Sequence, residues 1–167
     1  MPDVIEMGPP GVDQSDSLTL YWVEKIADPA KPTLAEMKLG VRITYDMIPG
    51  GYDRTGDQEV TKDERLTQSQ SRESLGKSTA GLALEYVESQ EPKSANMTLL
   101  EGKEGYIVER RGLPNSTEEA VKQKVLPIKV RLGKQIPGGI AGTGNFTTKQ
   151  KTSVVGNVGL PVEIVAP

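Results

Sequence analysis

The sequence Thr33-Leu34-Ala35-Glu36-Met37-Lys38-Leu39-Gly40, followed by Val41-Arg42-Ile43-Thr44-Tyr45, carries the clearest local structural signals in this chain. Thr33 is a good N-cap, and the Glu36 side chain can reach back to the Thr33 amide in a capping box. Gly40 can adopt the left-handed conformation that ends many helices. The β-branched run from Val41 to Tyr45 is typical of a strand. We therefore expect a short capped helix that leads directly into a strand.

A long polar segment follows this helix and strand. Pro49-Gly50-Gly51 interrupts the apolar pattern, and the sequence then stays largely polar to residue 65. We expect residues 48–65 to form a long polar loop that is disordered in the free protein and becomes ordered when it reaches a neighbouring molecule. The residues that we expect in this contact are Ile48, Gly50, Gly51, Tyr52, Asp53, Arg54, Asp57, Lys62 and Arg65.

Alternating apolar residues predict strands in the rest of the chain. The alternation is clearest in residues 124–132, where Leu126, Ile128, Val130 and Leu132 share one face. Further strands are expected at residues 18–23, 79–87, 106–111 and 146–151, and a second short helix at 94–100. Residues 115–119 could form another capping box, and polar pieces at 59–62 and 68–74 could pair as a hairpin with water on both faces.

The two ends of the chain differ from the middle. Residues 1–17 are rich in proline, glycine and acids, which favours an extended N-terminal arm. Residues 153–167 are apolar at Val158, Leu160, Val162 and Ile164, so this C-terminal arm should dock on its own domain or on another subunit. We expect it to dock on a neighbouring subunit. The fold prediction is mainly β: residues 18–152 form an antiparallel β-sandwich or barrel with one or two short helices, a long inter-strand loop and extended termini.

The composition excludes several classes of function. The 167 residues include no cysteine and no histidine, which removes disulfides, thiolate nucleophiles, serine–histidine triads and the usual zinc sites. We therefore expect no enzymatic activity, no cofactor and no metal. No apolar run approaches the roughly 18 residues of a membrane span, and the N-terminus lacks a signal-peptide profile. We expect a soluble protein made in a cytoplasm. The net charge of −3 argues against a surface that grips nucleic acid, but it is compatible with a channel through which DNA slides.

Two motifs have ordinary structural interpretations. Gly76-Lys77-Ser78-Thr79 resembles the end of a phosphate-binding P-loop, but Ser71 stands where that motif needs a glycine. The preceding residues are polar and the following ones alternate as a strand, so we interpret the motif as a turn. Acidic residues at Asp57, Glu59, Asp63 and Glu64 do not follow a calcium-loop spacing, which favours a solvated charged segment.

Several segments of the sequence resemble those of the major tail tube proteins of long-tailed bacteriophages of the siphophage type, especially those that infect actinobacteria. These segments are Ile26-Ala-Asp-Pro29, Pro32-Thr-Leu-Ala-Glu36-Met37, Gly40-Val-Arg-Ile-Thr44, Glu59-Val-Thr-Lys-Asp63-Glu-Arg65-Leu66, Leu82-Ala-Leu-Glu-Tyr86 and Tyr106-Ile-Val-Glu-Arg110. The resemblance spans roughly residues 20–165. Residues 1–17 and 68–77 match no part of the pattern.

The resemblance implies a virion structural protein whose subunits form hexameric rings that stack into a hollow tube. By this resemblance the partners are further copies of the chain, a tape-measure protein in the lumen, and the tail terminator and distal tail proteins. Double-stranded DNA would pass through without specific binding, no membrane would be entered, and assembly would occur in the bacterial host cytoplasm. A capsid-decoration or adhesin-like β-sandwich binding module is the main alternative, and a nucleotide-binding enzyme using Gly76 and Lys77 is a weaker one.

Overall fold

The computed structural model describes residues 11–65 and 69–167, which form eight strands and two short helices. Residues 1–10 of the predicted N-terminal arm lie outside the described residues. Gln68 of the predicted polar hairpin also lies outside them. The elements in chain order are β1 (Leu18–Val23), α1 (Leu34–Leu39), β2 (Val41–Arg42), a 3₁₀ turn (Thr44–Asp46), β3 (Met47–Asp63), β4 (Arg72–Val87), α2 (Ala95–Thr98), β5 (Glu104–Arg111), β6 (Lys124–Pro137), β7 (Thr147–Val154) and β8 (Val162–Glu163).

One antiparallel sheet contains all eight strands. Its order is β2-β1-β5-β6-β7-β4-β3, and β8 pairs with the first residues of β6. The sheet is curled into a half-barrel, so the prediction of a mainly β, antiparallel fold with only short helices is confirmed. Strands β1 and β5 pair from Leu18 with Arg111 to Val23 with Tyr106, which joins two distant parts of the chain.

Helix α1 begins with the predicted capping box. The Thr33 hydroxyl accepts a hydrogen bond from the Glu36 amide at 3.3 Å, and a Glu36 carboxylate oxygen accepts one from the Thr33 amide at 2.9 Å. The helix ends at Leu39, before Gly40. The expected left-handed geometry at Gly40 is wrong, because its φ is −68° and its ψ is 154°. Glycine fits there because a Cβ would lie 2.8 Å from Cγ2 of the buried Val23 and 3.1 Å from the Met37 carbonyl oxygen, so any other residue would force a shift.

Stability should fall at acid pH through Glu36. Its carboxylate accepts hydrogen bonds from the amides of Thr33 and Ala27, which lower the pKa of Glu36 from its ordinary value of 4.5. A depressed pKa in the folded state stabilises the protein above the ordinary value, and this contribution is lost as pH falls through the folded-state pKa. We expect Glu36→Gln to lower the free energy of unfolding at pH 7 by about 1 kcal/mol and to weaken its dependence on pH below 5. Urea unfolding at pH 7 and pH 3 measures both effects.

The matched control for this prediction is Glu24→Gln. The Glu24 side chain is exposed and forms a surface ion pair with Lys103, so its loss should cost roughly 0.5 kcal/mol or less. If Glu36→Gln kept the wild-type difference in stability between pH 7 and pH 3, the cap would not be the source of the acid sensitivity.

The segment after α1 is shorter as a strand than its β-branched residues suggest. Strand β2 ends at Arg42, and the backbone turns into the 3₁₀ geometry at Thr44. The Thr44 hydroxyl accepts a hydrogen bond from the Leu20 amide at 2.8 Å, and the Leu20 carbonyl accepts one from the Ile43 amide at 3.0 Å. These contacts hold the fully buried Ile43 side chain in the core, so the prediction of a continuous strand to Tyr45 is wrong.

The inner core fills the concave side of the half-barrel. It contains apolar residues of β1, β4 and β6, including the four of β6 that were predicted to share one face, with Ile107 of β5 and Leu99 beside α2. The members from those three strands are Leu20, Trp22, Leu82, Leu84, Tyr86, Leu126, Ile128, Val130 and Leu132. Burial of such side chains contributes roughly 1.5–3 kcal/mol each, which makes this core the main source of stability.

A second, outer core lies on the other side of β1, β5 and β6. Helix α1 covers it with Met37, and the C-terminal segment contributes Ile164, which packs with Tyr106 and Val108 of β5. Because β5 lies between the two cores, every residue of that strand from 105 to 110 is buried. This double burial explains how the sheet can place charged residues in the interior.

Two further local predictions are corrected by the structure. Residues 115–119 form no helix: Asn115 instead accepts a hydrogen bond from the Thr19 hydroxyl at 2.9 Å, and Glu119 pairs with Arg42 at 3.1 Å. The predicted second helix exists as α2, but it covers only Ala95–Thr98 and the Ser94 side chain makes no capping hydrogen bond. Instead, a carboxylate oxygen of Asp46 accepts a hydrogen bond from the Ala95 amide at 2.7 Å.

Candidate assembly interface

Strands β3 and β4 extend far beyond the rest of the sheet. They pair from Tyr52 with Leu84 to Asp63 with Arg72, whereas β7 pairs with β4 only between Leu82 and Val87. Residues 55–63 and 72–81 therefore form a two-stranded ribbon that pairs with no third strand of the described residues, and we call it the free hairpin. At about 3.3 Å per residue it projects roughly 30 Å from the body. The expected long loop at residues 48–65 is thus wrong as secondary structure, since residues 47–63 form strand β3.

The free hairpin exposes an apolar pair between polar neighbours. Val60 and Leu75 are direct cross-strand partners, with 49% and 72% of their surfaces exposed. The flanking contacts are polar: Gln58 donates to the Gly76 carbonyl at 3.3 Å, and Lys62 lies 3.8 Å from Glu73. A two-stranded hairpin alone in water is marginally stable, because neither face is covered. An exposed apolar pair on such a ribbon is a natural contact for another molecule.

The residues expected in an intermolecular loop fall into two groups. Asp57 and Lys62 lie in the free hairpin, and Arg65 follows it. Ile48, Gly50, Gly51, Tyr52, Asp53 and Arg54 instead lie where β3 joins the body of the sheet. Within that second group, Tyr52 packs against the inner core and Arg54 pairs with the buried Glu109, so both side chains act inside their own subunit.

The Tyr52 hydroxyl is a hydrogen-bond donor inside the half-barrel. It donates to Oε2 of Glu109 at 2.7 Å. Burial, followed by the neighbouring Glu109 carboxylate, raises the pKa of Tyr52 well above its ordinary value of 10. The hydroxyl therefore remains protonated under physiological conditions. Sequence reasoning missed this contact because Tyr52 and Glu109 are 57 positions apart and neither belongs to a recognisable motif.

The C-terminal segment folds onto its own domain. Strand β8 pairs with β6, and the Val165 amide donates to the Pro32 carbonyl at 2.9 Å. Ile164 is 1% exposed in the outer core, Val162 packs beside it, and Val158 packs against the inner core. These three side chains are thus packed within their own subunit, and their docking on a neighbour stays a prediction. Leu160 differs from them, because 84% of its surface is exposed.

The P-loop-like residues lie in a strand. Gly76, Lys77, Ser78 and Thr79 belong to β4, and Ser78 and Thr79 pair with Gln58 and Asp57 of β3. The interpretation of this motif as a turn is wrong, because β3 and β4 are joined earlier in the chain, between Asp63 and Arg72. Across residues 11–65 and 69–167, no group of three or more acidic side chains is placed to hold a metal ion. Among the same residues, no helix has the length and apolar character needed to cross a membrane.

Comparison with known proteins points to a single family. No curated protein sequence matches the chain. The family model described as "Phage tail tube protein" matches residues 7–167, which includes the whole sheet, the free hairpin and the C-terminal segment. This match agrees with the mainly β fold. The chain therefore belongs to the phage tail tube protein family.

Proposed function

We propose that this protein forms hexameric rings that stack into the hollow tube of a long phage tail. Membership of the family makes the protein a structural component of the virion tail that self-assembles into a tube. The observation that supports stacked rings is the free hairpin, which projects about 30 Å with both strand faces uncovered. Repeated heterologous contacts along one axis generate such a tube.

The free hairpin is the proposed contact between successive rings. Its exposed Val60 and Leu75 would be buried against the next ring, and its two free strand edges could accept further backbone hydrogen bonds. Burying both side chains would contribute about 3 kcal/mol or more per contact. Leu160, the exposed member of the C-terminal segment, is a second candidate for contact with a neighbouring subunit.

The uncovered face of β4, β7 and β6 is the proposed wall of the lumen. Its cations include Lys129, Arg131, Lys149 and Lys151, all exposed. Two of them face acids at 3.8 Å: Lys149 lies beside Glu85, and Arg131 beside Glu104. Mixed charge of this kind limits the release of counterions from DNA on contact, so the DNA could slide through the tube without stalling. During assembly in the host cytoplasm, the same lumen would hold the tape-measure protein. The tail terminator and distal tail proteins would bind the two ends of the tube.

Microscopy of the purified protein tests this proposal. At high protein concentration we expect hollow tubes in negative stain, whereas discrete particles would favour the alternative of a decoration or adhesin-like module. The double variant Val60→Ser/Leu75→Ser should raise the concentration needed for tubes by about tenfold or more, because each tenfold corresponds to about 1.4 kcal/mol.

The matched control keeps the apolar pair. Val60→Ile/Leu75→Met preserves the apolar character of both positions and should assemble as the wild type does. Circular dichroism of each monomer verifies that the serine variant is folded. Tubes of wild-type yield from a folded serine variant would show that the apolar pair is not a ring contact.

A further inference from the structure

The free hairpin joins the body at a point where the backbone of β3 is irregular. The pairing register between β3 and β4 shifts between Met47 and Tyr52. Gly50 has a φ of +75°, and a Cβ at Gly51 would clash with the Glu85 carbonyl. These two glycines let β3 bend against β4, and the bend precedes a Tyr52 side chain that packs against the inner core. The hairpin therefore leaves the body directly after a side chain that reaches across the half-barrel.

Glu109 receives this side chain from the other side of the fold. It lies on β5, and three strands separate β5 from β3 in the sheet. The Glu109 side chain is 1% exposed, and its carboxylate contacts Tyr52 at 2.7 Å, Nε of Arg54 at 3.5 Å and Nε of Arg111. We call Tyr52, Arg54, Glu109 and Arg111 the Glu109 cluster. It is the polar connection between the root of the hairpin and the far side of the curled sheet.

A buried carboxylate is costly unless it is fully paired. Glu109 has two guanidinium partners and one hydroxyl donor, which offset the loss of hydration. Such charge-assisted contacts are short and directional, so they hold their partners at defined angles. Tyr52 and Arg54 lie two positions apart on β3, immediately before the free hairpin. Tyr52 is the last residue of β3 that packs against the core.

From this arrangement we infer that the Glu109 cluster sets the angle at which the free hairpin leaves the subunit. Backbone pairing with β4 alone would leave the two-stranded ribbon free to pivot about its root, because β7 ends its pairing with β4 at Leu82. The cluster anchors one strand of the ribbon on β5 and removes that freedom. Tyr52 and Glu109 are thus positioning residues for assembly, in a role that rests on the proposed contact between rings. A pivot of about 10° would move the tip of a 30 Å hairpin by about 5 Å.

The absence of cysteine in the sequence allows this angle to be measured directly. Thr61→Cys on the free hairpin and Glu101→Cys on the body accept one spin label each, and the distance between the labels reports the angle in the monomer. We expect a narrow distance distribution in the otherwise wild-type protein. Tyr52→Phe and Glu109→Gln should each broaden it or shift it by about 5 Å or more.

Two variants on the opposite side of the sheet serve as matched controls. Tyr21 is a buried tyrosine whose hydroxyl contacts Arg42, and Glu119 is paired with that same arginine. Tyr21→Phe and Glu119→Gln remove comparable groups and should lower stability without changing the label distance. If Glu109→Gln proves too unstable to label, the milder Tyr52→Phe and the exposed Arg111→Gln provide the test.

The outcome separates this inference from the proposed function. Unchanged distances in Tyr52→Phe and Arg111→Gln, or a broad distribution in the wild-type background, would overturn the positioning role whether or not tubes form. Broadened distances confined to the variants of the Glu109 cluster would support it, even if the wild-type protein formed no tubes. Where tubes do form, the same variants should reduce tube yield while the two controls do not.

Discussion

Replacing residues 57–79 with Asn-Gly should give a folded subunit that forms no tubes. Gly56 and Ala80 are cross-strand partners in the hairpin, so their chain ends can be joined by a two-residue turn. Asn-Gly is the preferred sequence for that turn, since it adopts the type I′ geometry that matches strand twist. The replacement keeps the pairing of Leu82–Val87 with β7 and leaves the Glu109 cluster in place.

The stability of this shortened protein should change little. Among the removed residues that the structure describes, 57–65 and 69–79, none belongs to either core, and surface changes usually alter the free energy of unfolding by about 0.5 kcal/mol or less. Assembly, by contrast, loses the element proposed to join successive rings. Tube formation should therefore be abolished at concentrations where the wild-type protein assembles.

Electron microscopy and denaturant unfolding of the same preparation measure the two effects together. The control replaces residues 66–68 with Gly-Ser-Gly, which keeps both strands of the hairpin at full length. That protein should still form tubes. Normal tubes from the shortened protein would show that rings stack through another surface, and a large loss of stability would show that the hairpin supports the fold itself.

Arg110→Met should destabilise the subunit by about 3 kcal/mol. The Arg110 side chain is completely buried, and its guanidinium donates to the Gln123 side chain at 3.1 Å, the Thr19 hydroxyl at 3.2 Å and the Thr117 carbonyl at 2.8 Å. It also lies 5.8 Å from the centre of the Tyr21 ring. Methionine has a similar length but leaves these buried and half-buried acceptors without the Arg110 donor. Because folded domains are stable by only about 5–15 kcal/mol, a loss of this size is severe.

Arg131→Met is the matched control for this prediction. Arg131 lies on the neighbouring strand β6, its side chain is largely exposed, and its 3.8 Å pairing with Glu104 is of the weak surface type. We expect its substitution to change the free energy of unfolding by roughly 0.5 kcal/mol or less. Guanidinium unfolding monitored by the fluorescence of the single, buried Trp22 measures both variants. Similar losses in the two would mean that the buried contacts of Arg110 contribute nothing beyond an ordinary surface arginine.

The parts of the fold that could be predicted are those determined by neighbouring residues. The capping box of Thr33 and Glu36 depends on side chains three positions apart, and the structure forms it as expected. The alternation of Leu126, Ile128 and Val130 marked the inner face of β6 for the same reason. In both cases the residues involved lie within a few positions of one another, so the local sequence is sufficient to predict the structure.

The free hairpin and the buried charges could not be predicted in this way. Beyond Arg54, strand β3 is polar except for Val60, so it lacks the alternation that marks a half-buried strand. Polar pieces at 59–62 and 68–74 hinted at a hairpin, but its extent depends on cross-strand pairing that periodicity does not show. Glu109 and Arg110 looked like ordinary polar residues. Glu109 is buried beneath Tyr52 and Arg54 of β3, and Arg110 beneath the loop that carries Thr117 and Gln123. Partners far apart in sequence leave no local pattern.

The pairing of β1 with β5 also has a consequence for the rate of folding. Contacts such as that between Thr19 and Asn115 join residues 96 positions apart, so a long stretch of chain must be closed before they form. Closing long loops costs entropy in advance of any stabilising contact, and domains rich in such contacts fold on the millisecond to second scale. The β3–β4 hairpin, whose partners are close in sequence, can form within microseconds. The projecting ribbon should therefore form transiently before the half-barrel is closed, and newly made chains would display their contact surface at times while the core is still incomplete.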